Sequence, residues 1–447
     1  MNIFRSRFAR VLAVIIVILG IAFTLLMIFR DNVENAFKDI TNHAIAGALT
    51  DAGGTTLNGG TGLRSGTVVK GIADIAGMPG IIGDIDGAYY DTSIRPAPGL
   101  LTGGEWRDND HWSDWCALYT SRDDWSDYQD EWRIFRENRI VVHVISDGVP
   151  VEGASVYCDN AVTAVTDNKG IAYVFYDPED SLGKSLIVKS GDVTTECPFE
   201  LDDATAVCDI AAEQHTDKIL DLMIMCDSTG SMSDELAFLQ SELADVIGRI
   251  KTDNGNIPVN ISVNFYRDNI DDYVVLDFPF TEDINIALEN LNAQSAGGGG
   301  DYPEAVDTAL NNAIVEHNWT ETSTKIMFLV LDAPLHNDVQ IVDRVNSLVE
   351  MAASQGIRII PVAASGVDKS TEYLLRTIAF RTGGTYVFLT DDSGVGREHT
   401  EATVEAYNTG ALNDLMVRIV NDYLASPAGI FTTDVQTAET TISDYIQ

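Results

Sequence analysis

Acidic and hydroxyl side chains follow an apolar segment in the second half of the chain. The segment LDLMIMC at residues 220–226 leads directly into Asp227, with Thr229 and Ser231 two and four positions further on. Carboxylate and hydroxyl oxygens are the donors that hard divalent cations such as Mg²⁺ and Ca²⁺ take. Gly230 allows a tight turn between them. The spacing predicts part of a metal site, although the same residue types are equally typical of a plain helix cap.

Two more acidic residues directly follow a glycine run or an apolar segment. Asp301 ends the glycine run at 297–300, and Asp332 ends the apolar segment TKIMFLVL at 324–331. A glycine run alone would indicate a linker. From residue 220 onward, however, apolar strand-like segments alternate with amphipathic helical ones, which predicts a doubly wound, mostly parallel α/β sheet. Segments 259–268 and 272–279 are expected to form an antiparallel hairpin at one edge. Because ligands bind at the carboxyl ends of such strands, the carboxylates and hydroxyls should converge there.

Residues 218–425 resemble a von Willebrand factor A (VWA) domain with a metal-ion-dependent adhesion site. The motif D-x-[ST]-x-S is matched by Asp227, Thr229 and Ser231, and the last Asp of the family by Asp332. Where the family commonly has Thr, this chain has a GGGD-x-PE pattern, so the resemblance implies Asp301 as the ligand there. The cofactor it implies is Mg²⁺ or Ca²⁺, and the additional negative charge would favour Ca²⁺.

The resemblance implies binding rather than catalysis. In such domains an open position on the metal takes a carboxylate from a partner, here a protein or glycan ligand with an acidic group. The residues agree, because the sequence shows no Ser-His-Asp, Cys-His or zinc-type spacing, so an enzyme is not expected. His317 and His399 are interpreted as exposed histidines. His336 lies beside the predicted metal site and could tune ligand access, but an exposed loop histidine is the preferred interpretation. An alternative function is an accessory or assembly subunit of a cell-envelope complex, with the VWA domain holding a partner subunit.

The charge distribution is uneven. The 447 residues have a formal net charge of −40, which excludes nucleic acid and anionic lipid headgroups as main partners. Residues 1–30 nevertheless contain four arginines and no acidic residue, and 11–29 form an uncharged apolar stretch of 19 residues. At 1.5 Å per residue this spans about 29 Å, close to a bilayer core. We expect an uncleaved single-pass anchor in the cell membrane, with the N-terminus cytoplasmic and the bulk extracellular. A cleaved signal peptide is the alternative.

Composition divides the remaining chain into segments. Residues 31–104 are interpreted as a linker or stalk, 105–138 as a Trp-rich helical cap and 426–447 as a Thr-rich tail. The cap's tryptophans could stack on carbohydrate, but packing onto the next domain is the preferred interpretation. Residues 139–213 alternate as strands do, and predict an all-β sandwich. This segment resembles the transthyretin-like or carboxypeptidase-regulatory-like modules through its "G-x-P-V-x-G-A-x-V" pattern from Gly148 and its "T-D-x-x-G" pattern from Thr166.

Disulfides are allowed outside the cell. If residues 201–204 form a hairpin turn, Cys197 and Cys208 face each other on neighbouring antiparallel strands, which predicts a disulfide between them. Cys116 and Cys158 are a second candidate pair. Cys226 lies in an apolar strand and is expected to be a buried thiol.

Overall fold

The computed structural model describes a large part of the chain from residue 101 to residue 426. The described ranges are 101–134, 138–158, 161–176, 185–199, 204–212, 218–300, 302–391, 401–404 and 407–426. No helix within these ranges is long and apolar enough to cross a membrane. The predicted anchor at 11–29, nearly all of the predicted stalk and the tail beyond 426 lie outside the described residues.

The elements fall into three consecutive groups along the chain. The first group is β1 (Thr102–Trp106), α1 (Trp112–Ser121) and α2 (Asp123–Glu131). The second is β2 (Asn138–Ser146), β3 (Val149–Pro150), β4 (Ser155–Cys158), β5 (Ala161–Val165), β6 (Ile171–Tyr176), β7 (Ser185–Ser190), β8 (Val193–Pro198) and β9 (Thr205–Asp209). The third is β10 (Leu220–Asp227), α3 (Ser233–Asp253), β11 (Val259–Tyr266), β12 (Val275–Leu276), α4 (Ile284–Asn292), α5 (Val306–Asn311), β13 (Thr324–Leu331), α6 (Val339–Gln355), β14 (Ile357–Ala363), α7 (Lys369–Arg381), β15 (Tyr386–Thr390), β16 (Gly410–Ala411) and α8 (Leu412–Leu424).

The third group builds a mixed α/β domain around one large sheet. Within the described residues, eight strands lie in the order β12-β11-β10-β13-β14-β15-β1-β16. Strands β11, β10, β13, β14 and β15 are parallel to one another. Strand β12 pairs antiparallel with β11 and forms the edge, which confirms the predicted hairpin, although the paired part of its second strand is short. The mostly parallel α/β sheet predicted from the sequence is therefore confirmed.

Burial explains why β10 is apolar at successive positions from Leu222 to Cys226 rather than at alternating ones. All of its residues are buried, and successive side chains enter different cores. Leu222 and Ile224 belong to a core on one face of the sheet, together with α3 and α8. Met223 and Met225 belong to a core on the other face, with α6 and α7. A strand covered on both faces favours apolar side chains at successive positions.

The Trp-rich segment is part of the same domain. Strand β1 pairs antiparallel with β15 and so extends the large sheet. Trp106, Trp115, Trp125 and Trp132 are buried in the core that also contains α7. The predicted cap boundary at residue 105 falls inside β1. Four of the tryptophans pack into the core of the large sheet, which is distant in sequence, while Trp112 also contacts Phe175 and Arg139 of the segment that follows.

The second group forms two small sheets with a common core. One described sheet joins β3, β2, β6 and β9, and the other has the order β5-β4-β7-β8. Val142, Val156 and Val188, from three strands of the two sheets, are among the residues of this core. The module also contacts the large domain. Asn168 Nδ2 donates to the carbonyls of Asp422 and Ala425 at the end of α8, at 2.7 and 2.9 Å.

Candidate metal centre

Asp227 occupies the carboxyl end of the central strand β10. It is fully buried, and in the strand register it lies opposite Tyr266 at the end of β11. Its Oδ1 accepts a hydrogen bond from the Thr229 amide at 2.7 Å. Its Oδ2 is buried and has no hydrogen-bond partner within the described residues. An unpaired buried carboxylate oxygen is costly, so this atom marks a position for a cation or a donor.

The two predicted hydroxyls lie beside this carboxylate. Thr229 Oγ1 and Ser231 Oγ are 3.3 Å apart, and Thr229 is buried. They stand at the start of a short 3-10 turn, Gly230–Met232, that leads into α3. No side-chain capping hydrogen bond is formed at the start of this turn or at the start of α3. The alternative interpretation of these hydroxyls as plain helix caps is therefore not supported.

The glycine run at residues 297–300 forms backbone hydrogen bonds with the loop that follows β10. The Gly297 amide donates to the Ser228 carbonyl at 3.0 Å, and the Gly230 amide donates to the Gly298 carbonyl at 3.3 Å. Gly299 has φ +74, which favours glycine, and a Cβ there would lie 3.2 Å from Cβ of Thr229. The run is thus part of the site and not a linker. Asp301, which follows it, lies outside the described residues.

Asp332 follows β13 and is buried at the same edge. Its negative charge is, after burial, the main cause that raises the pKa of Asp227 to about 8. The structure therefore brings together four of the predicted donors, Asp227, Thr229, Ser231 and Asp332. In the described part of the chain, no three His, Cys, Asp or Glu side chains form a metal-binding group by themselves. The predicted ligand set has only two carboxylates among the described residues, those of Asp227 and Asp332. Its other members are the two hydroxyls and Asp301, which lies outside the described residues.

Two buried glutamates adjoin the predicted residues. Burial, followed by the charge of Asp227, raises the pKa of Glu304 to about 9, and its Oε2 has no partner in the described residues. Burial raises the pKa of Glu235, in the first turn of α3, to about 7. Glu304 had a sequence signal, because it ends the GGGD-x-PE pattern. Glu235 had none, since an acidic residue in a first helical turn is ordinary.

The predicted exposure of His336 and His317 was wrong, and His399 lies outside the described residues. His336 is half-buried, and its Nε2 lies 2.7 Å from Oδ1 of the buried Asp268. His317 is also half-buried, with its ring nitrogens 3.1 and 3.2 Å from the carbonyls of Asn312 and Phe278. Each histidine has a partner in a segment distant along the chain, Asp268 for His336 and Phe278 for His317, which the sequence does not show.

The hairpin behind the first disulfide prediction is also wrong. Strand β8 pairs with β7, whereas β9 pairs parallel with β2 in the other small sheet. Cys197 and Cys208 nevertheless meet in the common core, where the hydrogen bond between the two thiols raises the pKa of Cys197. A disulfide between them stays a prediction. Cys116 and Cys158 border different cores, and Cys226 is fully buried, as expected.

Part of the chain matches a protein-family model and is similar to known proteins. Residues 221–393 match the family model described as von Willebrand factor A domain. A putative ariadne-like RING finger protein, R811, of Acanthamoeba polyphaga mimivirus is 33% identical over 121 residues, which are 27% of this chain. The match spans 11% of that relative's length. The crystal structure of the conserved hypothetical protein BatB from Bacteroides thetaiotaomicron aligns with 46% of this chain and 98% of its own, at 12% identity and a TM-score of 0.32.

The family match, the mostly parallel sheet and the residues at its carboxyl edge define the class of domain. Residues 221–393 form a VWA domain. Domains of this class generally mediate protein–protein interactions.

Proposed function

We propose that this protein is a membrane-anchored, extracellular binding protein that captures a protein or glycan ligand through a divalent cation in its VWA domain. The observation that carries the proposal is the buried Asp227 carboxylate, whose Oδ2 has no partner among the described residues. Asp332 adds a second negative charge at the same edge, which raises the free energy of the cation-free site. A bound cation would pair with the free Asp227 oxygen and would offset the repulsion between the Asp227 and Asp332 carboxylates.

The available donors fit a hard divalent cation. Asp227, Asp332 and the hydroxyls of Thr229 and Ser231 are oxygen donors, and Asp301 would supply another from the glycine loop. When bound, the cation would supply a positive charge that attracts a carboxylate of the ligand. The chain's own residues hold this position at the sheet edge, because the loops that carry them are joined by backbone hydrogen bonds. We propose binding rather than catalysis as the function of the site.

Anchoring and location are proposed from the sequence alone. The apolar stretch 11–29 would hold the chain in the cell membrane, with its arginines on the cytoplasmic side. The two-sheet module is proposed to be a spacer, in keeping with its resemblance to transthyretin-like modules. It would present the proposed metal site of the VWA domain outside the cell.

Metal titration tests the site directly. We expect calorimetry of the purified full-length chain in non-ionic detergent to show binding of Mg²⁺ or Ca²⁺, and Asp227→Ala to abolish it. Asp245→Ala is the matched control, because Asp245 is exposed on α3 and forms a long ion pair with Arg249. Unchanged metal binding by the Asp227→Ala protein would show that the site is wrongly assigned.

Capture from intact cells tests the function. Extracellular proteins or glycans that bind the wild-type chain should be released by a chelator and should not bind the Asp227→Ala variant. If membrane subunits co-purify instead, the envelope-complex alternative is favoured. Capture that survives both chelation and the substitution would contradict metal-dependent binding.

A further inference from the structure

A large cleft, called here the interdomain cleft, lies between the two-sheet module and the VWA domain. Its volume is about 960 Å³. One wall contains Ser155 and Tyr157 of β4 and Lys189 of β7. The other wall contains Lys218, which precedes β10, and Lys325 at the start of β13. The cleft therefore borders the amino ends of the parallel strands, whereas the proposed metal site lies at their carboxyl ends.

Positive charge is concentrated in the interdomain cleft. Four Lys and Arg side chains are among the described residues that line it, namely Lys189, Lys218, Lys325 and Arg358. The carboxylates among the same residues are three, those of Glu152, Asp167 and Glu321. The whole chain has 28 Lys and Arg against 68 Asp and Glu. A cleft in which cations outnumber acids is thus a local reversal of the charge of this protein.

Two of the three carboxylates accept hydrogen bonds from the protein. Asp167 Oδ1 accepts the backbone amides of Lys169 and Ile171, both at 2.9 Å. Glu152 Oε1 accepts the Thr324 hydroxyl at 3.1 Å, and burial raises the pKa of Glu152. These acids are held by amide and hydroxyl donors and do not neutralise the cations by direct contact.

Three of the cations donate to backbone carbonyls instead of carboxylates. Lys218 Nζ donates to the Leu424 carbonyl, and Lys325 Nζ donates to the Glu321 and Ser323 carbonyls at 3.0 and 3.5 Å. The buried Arg358 donates to the carbonyls of Thr382 and Val165, at 3.0 and 2.6 Å. In the part of the chain that the structure describes, none of the four cations of the cleft forms an ion pair.

The positive charges also act on one another. Burial lowers the pKa of Lys325, and the charge of Arg358 lowers it as well, whereas Asp221 and Glu321 raise it. The Asp221 carboxylate already accepts hydrogen bonds from Asn260 and Thr320. Partly buried cations without a direct counter-ion gain most from an anion that enters the cleft.

We propose that the interdomain cleft binds a small organic anion with more than one carboxylate or phosphate group. Lys218 and Lys325 would contact it from the VWA domain and Lys189 from the module, so the ligand would bridge the two. The hydroxyls of Ser155 and Tyr157 can donate to its oxygens. The volume is within the range of pockets that hold small molecules. This site goes beyond the proposed metal function, because neither Asp227 nor a metal ion takes part in it.

Calorimetric titration of the full-length chain in non-ionic detergent tests the inference, with citrate and pyrophosphate as probes of the two kinds of oxyanion. The chain carries Asp227→Ala and is treated with a chelator, so that a metal ion at the other edge cannot bind the probe. We expect at least one probe to bind. Adding Lys325→Gln should weaken that binding by at least about tenfold, the effect of losing a hydrogen bond between charged groups.

Lys251→Gln in the same background is the matched control. It removes an equal charge, but Lys251 lies in the last turn of α3 and does not line the cleft. Binding of citrate alone would identify carboxylates as the preferred groups, and binding of pyrophosphate alone would identify phosphates. If neither probe binds, the inference is overturned. It is also overturned if Lys325→Gln and Lys251→Gln have equal effects, because binding would then reflect net charge only.

A second variant keeps the inference testable if Lys325→Gln does not fold. Lys189 is exposed on β7, so Lys189→Glu should leave the module intact while it reverses one charge of the cleft. We expect this variant to bind the probe more weakly than the Lys251→Gln control. Equal affinity of the two proteins would contradict a site between the module and the VWA domain.

Discussion

At the scale of single residues, burial gives charged groups their significance in this protein. Arg376 is nearly inaccessible, and its Nε and Nη2 donate to the two carboxylate oxygens of Asp108 at 3.0 and 2.5 Å. Glu372 lies 3.4 Å away on the same helix. This bidentate pair connects the segment after β1 to α7. Removal of Asp108 would leave the buried guanidinium with only the longer contact to Glu372 as an ion pair.

Asp108→Ala should therefore destabilise the protein by about 3–5 kcal/mol, the usual cost of breaking a buried ion pair. Urea unfolding at neutral pH measures the change. Asp114→Ala, which removes an acid from the more exposed surface of α1, should change the free energy of unfolding by less than about 0.5 kcal/mol. Similar effects of the two substitutions would show that the Arg376 contact adds little to stability.

His143 on β2 should make stability depend on pH. Burial lowers its pKa below the ordinary value of 6.5. As pH falls through 6.5, the unfolded chain therefore takes up a proton that the folded chain does not, and stability decreases until the folded pKa is reached. We expect the free energy of unfolding to fall more steeply between pH 7 and pH 5 in the wild type than in His143→Gln. Parallel curves for the two proteins would contradict the expectation.

At the scale of secondary-structure elements, β1 and the two helices after it complete the VWA sheet. Strand β1 covers β15, which would otherwise present unpaired backbone groups at a sheet edge. Trp115 of α1 packs against Phe380 of α7, with ring centroids 4.9 Å apart, and against Tyr373 at 5.4 Å. The ring of Trp115 therefore belongs to the core of this domain.

Trp115→Ala should destabilise the protein by about 3–5 kcal/mol, because it removes a fully buried aromatic ring and leaves a cavity. Chemical unfolding followed by circular dichroism gives the measurement. Trp112→Ala is the comparison, since Trp112 is partly exposed on the same helix and should cost less. Equal losses of stability in the two variants would indicate that the burial of a tryptophan ring does not determine its contribution to stability.

At the scale of the whole molecule, one domain is built from two separated parts of the chain. Residues 102–106 belong to the sheet whose other strands lie between 220 and 411. The two-sheet module lies between these parts in sequence, and it contacts the end of α8 through Asn168. The domain predicted at 218–425 thus lacks an element that its sheet includes.

A fragment of residues 218–426 should consequently be less stable than one of residues 101–426. The shorter fragment loses the partner of β15 and exposes Tyr373, Phe380 and Phe388, which are buried in the complete domain. We expect a lower melting temperature and stronger binding of a hydrophobic dye. Identical melting temperatures for the two fragments would show that β1 and its helices are dispensable.

The sequence by itself determined the parallel strands of the large sheet, its edge hairpin, and the positions of Asp227 and Asp332 at strand ends, with Thr229 and Ser231 in the segment after β10. These features depend on local patterns, since apolar runs, helical spacing and strand-end motifs are read within a few residues. Tertiary structure decided the rest. The burial of Glu304 and Glu235, the contact of His336 with Asp268, the meeting of Cys197 and Cys208 across two sheets, and the addition of β1 all join residues from different segments. Such contacts follow from how the elements pack, which local patterns do not specify.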